Sequence, residues 1–353
     1  MKKAVSTLRE VASEAGVSIA AVSKVLHGRG ESVRVSSSKA SEIRLVAKRL
    51  NYVPNVLARS LRTSRTHTIG LVFENFGAIS DGPQFYVELL DGVAQELFAR
   101  HYRLTILSEV DSEHPAADLA DGRLDGVIWC KMPTDPHFVE RFANVGLPCV
   151  ALHARRIDSS PGVFYVRCDN RGGSHLVVDH LKKLGHERIL FVMEQRETET
   201  PDALERRDGF IEACRAQGLT VDPEQDIVVW TRDADEFADW WDLRPPHTAL
   251  YGWNERVAAG VLARAKELHV NVPKDLSVIG FDSTVFCEST LPPLTAVRQP
   301  IRQMASHATR LLLDLINGHV SSQTEQSFAS TLDVRQSTAI VPSYRGKTSK
   351  QRL

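Results

Sequence analysis

At 353 residues the chain exceeds one ordinary domain, and two or three parts are expected. Hydrophobic residues make up 42% and charged residues 25%, the balance of a globular protein that buries a core without disulfides or metals. The five cysteines form no C-x-x-C pair and read as reduced, buried thiols. No apolar stretch nears the roughly 18 residues of a membrane span, and Met1-Lys2-Lys3 leads into no apolar segment. A cytoplasmic protein, neither exported nor inserted, is expected. The net charge of −1 conceals an asymmetry: residues 1–67 hold 13 Lys/Arg and four Glu, a charge of +9, and the remainder is −10. A basic head on an acidic body suggests a polyanion partner, although a solvated basic arm has the same composition.

The head reads as three short helices. Thr7-Leu-Arg-Glu10 is a capping box, in which hydroxyl and carboxylate each satisfy the other's amide. Leu8, Val11, Ala12 and Ala15 follow at helical spacing, and Gly16 ends the helix. Ser18 caps a second helix, Ile19 to Leu26, whose inner face is Val22, Val25 and Leu26. Two short helices joined by Ala-Gly-Val-Ser are the helix-turn-helix plan, with the second helix in the major groove. A third helix from Ser36 turns Ala40, Ile43, Ala47 and Leu50 inward. Residues 55–63 carry few apolar anchors and several charges, so this segment buries too little surface to stay folded alone.

Behind the head, strand-like runs alternate with helical ones. Strands are expected at Ile69–Phe73, Arg103–Leu107, Gly126–Trp129 and Pro148–Leu152, with helices near 85–99 and 134–145. A second set follows at Ile189–Met193, Asp226–Trp230, Thr248–Tyr251 and Ser277–Gly280, with helices around 171–184, 203–217 and 254–268. This alternation predicts two α/β lobes, each a doubly wound parallel sheet, with a ligand crevice at the strand C-termini. Helix 301–316 and one strand near 327–334 would cross back between them. The short connection Ser108–Asp125 abbreviates the first lobe's second helix. No H-E-x-x-H, P-loop, G-x-S-x-G or strand-following G-x-G-x-x-G occurs, His186-Glu187 lacks a second histidine, and no enzyme, metal or cofactor is expected.

Several segments resemble the lactose-repressor (LacI) family in order. In the head these are Thr7-Leu-Arg-Glu-Val-Ala-Ser-Glu-Ala-Gly-Val-Ser18, Val22-Ser-Lys-Val-Leu26, Asn51-Tyr-Val-Pro-Asn55 and Ala58-Arg-Ser-Leu-Arg62. In the core they include Leu124-Asp-Gly-Val-Ile128, Arg206-Arg-Asp-Gly-Phe210, Val278-Ile-Gly-Phe-Asp282 and Pro292-Pro-Leu-Thr-Ala-Val-Arg-Gln299, similar to the family's periplasmic-binding-protein-like core. The resemblance covers roughly residues 7–340. It implies a helix-turn-helix domain at 5–54, a hinge at 55–68 and an effector-binding and dimerisation core at 69–342. The first lobe would be 69–167 plus 300–326 and the second 168–299 plus 327–342, ahead of a polar tail at 343–353. That tail is too short for a heptad repeat, so a dimer without a coiled-coil tetramer is expected.

The resemblance assigns DNA contacts to Thr7, Ser18, Ile19, Ala20, Ser23, Lys24 and His27, and to Leu61 as a minor-groove wedge beside Arg62. Lys24 can donate to guanine O6/N7, while Ile19 and Ala20 either meet thymine methyls or complete a small core. It assigns effector contacts to Phe85, Tyr86, His153, Arg206, Asn254, Asp282 and Gln299. Trp230 or Trp253 would supply a stacking platform, with core packing an equal alternative for both. His153, where many members carry Asp, would alter hydroxyl recognition and could make it pH-sensitive, with a plain structural histidine the equal alternative. Glu255 stands where Asp is usual. The implied function is a transcription regulator, a repressor by default. It would be a homodimer on a near-palindromic operator, controlled by a sugar or sugar derivative in the cleft, with no membrane partner. The alternatives are a regulator with a ligandless core and a solute-binding protein.

Overall fold

The computed structural model describes residues 6–27, 34–53, 60, 63, 65–73, 84–107, 110–111, 114–133, 135–154, 156, 162–243, 245–319 and 322–341. The chain divides into two compact units, residues 1–66 and 67–353.

In the first unit, α1 (Leu8–Glu14), α2 (Ile19–His27) and α3 (Ser37–Arg49) enclose one small core. Val11, Ala12 and Ala15 of the first helix region meet Val22 from α2 and Ile43, Val46 and Ala47 from α3. Both halves of the capping box are formed: the Thr7 hydroxyl accepts from the Glu10 amide and the Glu10 carboxylate from the Thr7 amide. Gly16 takes φ +62°, and the Val17 amide returns to the Ala12 carbonyl at 3.0 Å, so the turn into α2 uses a backbone that side-chain-bearing residues avoid. Arg49 on α3 pairs with Glu14 on α1.

The second unit holds two six-stranded sheets. The first contains β1 (Thr68–Phe73), β2 (Arg103–Leu107), β3 (Gly126–Cys130), β4 (Cys149–Leu152), β5 (Val163–Cys168) and β11 (Glu325–Phe328), in the order β11-β5-β4-β3-β1-β2. The second contains β6 (Ile189–Glu194), β7 (Ile227–Trp230), β8 (Ala249–Gly252), β9 (Ser277–Asp282), β10 (Thr295–Arg298) and β12 (Thr331–Asp333), in the order β12-β10-β9-β8-β6-β7. All pairings are parallel except β10 with β12. Counted within its own lobe, each sheet runs 2-1-3-4-5 and then a late strand. Its topological switch lies between the first and third strands, where such folds bind ligands.

Alternation along β1 explains the layering of the first lobe. Ile69, Leu71 and Phe73 join the core under α4 (Gln84–Ala99) and α12 (Ile301–Ile316), and Val72 joins that under α5 (Pro115–Leu119) and α6 (Pro136–Ala143). α5 has only five residues, as the short connection requires. In the second lobe α7 (Asn170–Lys183) and α8 (Pro201–Ala216) pack on each other, and α10 (Glu255–Glu267) covers β8 and β9. Gly209 permits the α7–α8 approach: a Cβ there would stand 2.7 Å from the Arg171 Cα, so only glycine fits. Two short helices complete that lobe, α9 (Phe237–Asp242) and α11 (Phe286–Ser289).

The sequence reading omitted β5 and β10, the fifth strand of each lobe. It also expected one strand at 327–334, where the structure has two, β11 in the first sheet and β12 in the second. The chain therefore crosses between lobes at Cys168–Asn170, Arg298–Ile301 and Phe328–Thr331. These crossings are cross-linked: the Asp169 amide donates to the Phe328 carbonyl at 2.8 Å, and Cys168 Sγ lies 3.0 Å from Ser330 Oγ.

Candidate functional site

In the head, packing settles which face of α2 is available. Val22 is fully buried, whereas Ser18, Ile19 and Ala20 are exposed, Ile19 at 45%. Ile19 and Ala20 therefore do not complete the core. The Ser18 hydroxyl accepts from the Ala21 amide at 3.2 Å and fixes the first turn, and Ser23 and Lys24 are half-buried. The backbone of His27 closes α2. Leu61, Arg62 and the tail 343–353 lie outside the described residues.

The second candidate site lies between the two lobes. Asp202 and Arg206 come from the start of α8, Trp253 and Asn254 from the end of β8, and Asp282 from the end of β9. Gln299 sits in the middle crossing itself. From the first lobe, Phe85 and Tyr86 open α4, while Lys131 and His153 directly follow β3 and β4. Lys131 (φ 56°), His153 (φ 54°) and Asp282 (φ 89°) hold positive φ without being glycine, so strained backbone gathers at these strand ends.

Arg206, 2% exposed, is fixed from every side. It donates to the Trp253 carbonyl at 2.7 Å and to Asn170 Oδ1 at 3.0 Å, and pairs with Asp282 at 3.2 Å. Its guanidinium lies 3.8 Å from the Phe281 ring centre and 5.2 Å from that of Trp253. Gln299 Nε2 donates to Asp282 Oδ1 at 2.6 Å, which fixes the orientation of that amide. Asn254 caps α10 by accepting from the Val257 amide at 2.8 Å, so only its amide hydrogens can turn toward a ligand. Across the cleft Lys131 pairs with Glu197 at 3.2 Å and Asp202 at 3.5 Å. The His153 ring packs edge-on against Phe85 with centroids 4.8 Å apart.

Burial and charge set the protonation states. Burial works against the Lys131 ammonium, but Asp202 and Glu197 outweigh it and hold the group above the ordinary lysine value. Burial also works against the Asp202 carboxylate, yet Lys131 and Arg206 bring it down to about 2. Burial pushes His153 down to about 3, so its imidazole is neutral across the physiological range. The pH-sensitivity considered for His153 is thereby corrected: desolvation leaves it no proton to exchange near neutrality.

Four buried side-chain atoms here have no hydrogen-bond partner: His153 Nε2, Asp202 Oδ1, Trp253 Nε1 and Gln299 Oε1. An orphaned buried polar atom costs about 1–3 kcal/mol; Asp202 and Trp253 line the cleft, and His153 and Gln299 lie against its Phe85 and Asp282, so the group has spare hydrogen-bonding capacity. A larger adjacent hollow, about 680 Å³, shares Asn170 and Glu205 with this network. Its arginines are matched by carboxylates, Arg167 by Glu205 and Glu325 and Arg171 by Asp208 and Glu212.

The structure thus brings Phe85, Tyr86, His153, Arg206, Asn254, Asp282 and Gln299 together, with Trp253 as the aromatic wall. Trp230 is not there. It ends β7 and packs edge-on against Phe237 and Trp240 in the second lobe's core, because an edge strand carries its residues away from the switch point. Sequence reasoning missed Lys131 and Asp202. Lys131 was findable as the residue directly after a strand of a doubly wound sheet, and Asp202 as the residue one helical turn before Arg206.

A helix-turn-helix head and a two-lobed, periplasmic-binding-protein-like core define a class of ligand-linked DNA-binding regulators. Residues 7–55 match the family described as bacterial regulatory proteins, lacI family, and residues 178–338 match the periplasmic binding protein-like domain. The HTH-type transcriptional regulator GalS of Salmonella typhimurium is 31% identical over 351 residues, 94% of this chain and 96% of that protein. The protein belongs to the LacI family of DNA-binding transcriptional regulators. Its fold is similar to that of a transcriptional regulator CelR–cellobiose complex, with 28% identity and a TM-score of 0.68 over 94% of this chain and 99% of that one. It is also similar to the lac repressor dimer bound to operator and the anti-inducer ONPF, with 20% identity and a TM-score of 0.81 over 95% and 100%. Among the described residues no helix is long and apolar enough to cross a membrane.

Proposed function

We propose that this protein is a repressor whose affinity for operator DNA is controlled by a small polyhydroxylated molecule, a sugar or sugar derivative, held between the lobes. The observation that carries this is a cleft lined by Phe85, Asp202 and Trp253, in which Asp202 and Trp253 carry unpartnered buried polar atoms and two more sit on His153 and Gln299, against the lining residues Phe85 and Asp282. Hydroxyls match the polar atoms, and the rings suit a sugar's C–H surface. The cellobiose bound to the CelR relative supports the same ligand class.

The protein acts as a homodimer, with two heads on the half-sites of a near-palindromic operator and Leu61 and Arg62 of each hinge at its central minor groove. Ligand bound at Gln299 touches the middle crossing, so closure of the lobes and occupancy of the site are linked. A coupling of about 1–3 kcal/mol changes DNA occupancy roughly 5- to 150-fold.

Selection of bound duplexes from a random pool, followed by fluorescence-anisotropy titration with and without sugars, tests this. A symmetric preferred site whose affinity shifts with one sugar is expected. No preference over random duplex at moderate ionic strength, with any sugar present, defeats the proposal. Lys24→Ala should relax base preference at one position per half-site by about 1–3 kcal/mol. A uniform loss over all sequences would assign Lys24 to phosphate alone.

A further inference from the structure

The charges in the cleft say more about its ligand than the fold does. Lys131, Arg206, Arg232 and Arg256 line it against Glu194, Glu197, Asp202 and Asp282, four cations against four anions. Three of these cations are held by carboxylates of the same cleft. Lys131 stands between Glu197 and Asp202, Arg206 between Asp282 and Asp202, and Arg232 donates to Glu194 at 3.1 Å. An incoming phosphate or carboxylate would be buried beside these four anions, and to gain Lys131, Arg206 or Arg232 it would have to take that cation from one of them, leaving a buried carboxylate uncompensated.

The unpartnered atoms lead to the same answer independently. Asp202 Oδ1 is ionised and Gln299 Oε1 is an amide oxygen whose NH₂ end is held by Asp282, so both can only accept. Trp253 Nε1 can only donate, and the neutral His153 Nε2 does either according to its tautomer. A ligand must therefore donate at no fewer than two points and accept at one. Hydroxyls do both. A phosphate dianion or a carboxylate group placed against Asp202 Oδ1 or Gln299 Oε1 offers acceptors only.

We infer that the cleft takes an uncharged polyol and rejects its phosphorylated or carboxylated counterpart. Asp202 is the residue that imposes this choice, and Lys131 is the positioning residue that keeps it ionised and aimed. The inference rests on the reading of the cleft as an effector site and narrows its ligand class.

Calorimetry on the full chain tests it with D-glucose, D-galactose, D-ribose, D-xylose and cellobiose beside D-glucose 6-phosphate, D-ribose 5-phosphate and D-glucuronate. At least one neutral sugar should bind, and its anionic counterpart should bind no less than about 30-fold more weakly. An anionic sugar that binds as tightly as the neutral one, or more tightly, overturns this inference while the effector site stands. Absence of heat from every compound overturns both. In Asp202→Asn the neutral-to-anionic affinity ratio should fall at least tenfold, because Lys131 and Arg206 lose a shared anion. The ratio is read within one preparation, so partial destabilisation does not disturb it, and an unchanged ratio removes Asp202 as the determinant. Lys131→Met should lose most of the neutral-sugar affinity and Lys131→Arg should keep it within a few-fold. Equal losses in both would show that Lys131 only packs.

Discussion

The two lobes share a strand order yet bring different chemistry to the cleft. In the second lobe the polar groups are tied to one another: Arg206 to Asn170, Asp282 and the Trp253 carbonyl, Asp282 to Gln299, and Asn254 to its own helix. The first lobe offers the rings of Phe85 and Tyr86, a neutral imidazole, and one cation whose partners lie on the opposite lobe. A preorganised polar half thus faces an aromatic half whose charge, among the described residues of the cleft lining, is the Lys131 that reaches across. Fixed dipoles on one side let a ligand bind without first ordering its site, and the other side responds to whether the cleft is filled.

Asp282→Ala should break the polar half most severely, because it strips a buried arginine and an amide of their shared acceptor. Sugar binding measured by calorimetry should fall more than about 100-fold, and the core should lose about 3 kcal/mol in denaturant unfolding. Gly209→Ala should come next, at about 1–3 kcal/mol, as α7 and α8 are forced apart beneath Arg206. An unchanged midpoint would show that the helices relax freely.

Glu255 sharpens the comparison through pH. Burial, then the nearby Asp282, raise its carboxyl to about 7, against hydrogen bonds from the Thr284 amide and hydroxyl and from Cys287. Between its ordinary value of 4.5 and 7 the folded chain holds at Glu255 a proton that the unfolded chain releases, so this group's contribution to stability falls as pH rises through that window, opposite in sign to that of the buried histidines. The slope should approach about 1.4 kcal/mol per pH unit, and Glu255→Gln should flatten it. A wild-type profile that runs parallel to that of Glu255→Gln across the window would contradict this burial effect. Phe85→Ala should cost sugar affinity least, roughly tenfold, while the cavity left by a buried ring lowers stability by about 3 kcal/mol. A loss larger than that of Asp282→Ala would invert the asymmetry between the lobes.

Local rules made much of this legible. The capping box, Gly16 and the inner face of α2 are short-range signals, and they placed the head before any tertiary contact was known. Strands such as Arg103–Leu107 and helix 301–316 stood out by periodicity. β10 did not, because four residues inside a Pro-Pro-Leu run become a strand only by pairing with β9 and β12. The division of 325–333 between two sheets is likewise a property of the partners. β5 is different: Val163–Cys168 is a plainly apolar run, and the signal was there to be used. In the site, strand-end positions were readable. The Lys131–Glu197–Asp202 cluster was not, since sheet packing alone joins residues so far apart.

Late completion of both lobes has a consequence for synthesis. The first lobe waits for α12 and β11, and the second for β12, while the head closes its own core from residues adjacent in sequence. On the ribosome a DNA-reading module therefore finishes before the part that governs it. A premature stop ahead of residue 301 would release a folded head attached to two sheets with bare edges and an uncovered face. Such a product presents unpaired strand edges and bare apolar faces, the features that invite aggregation and proteolysis.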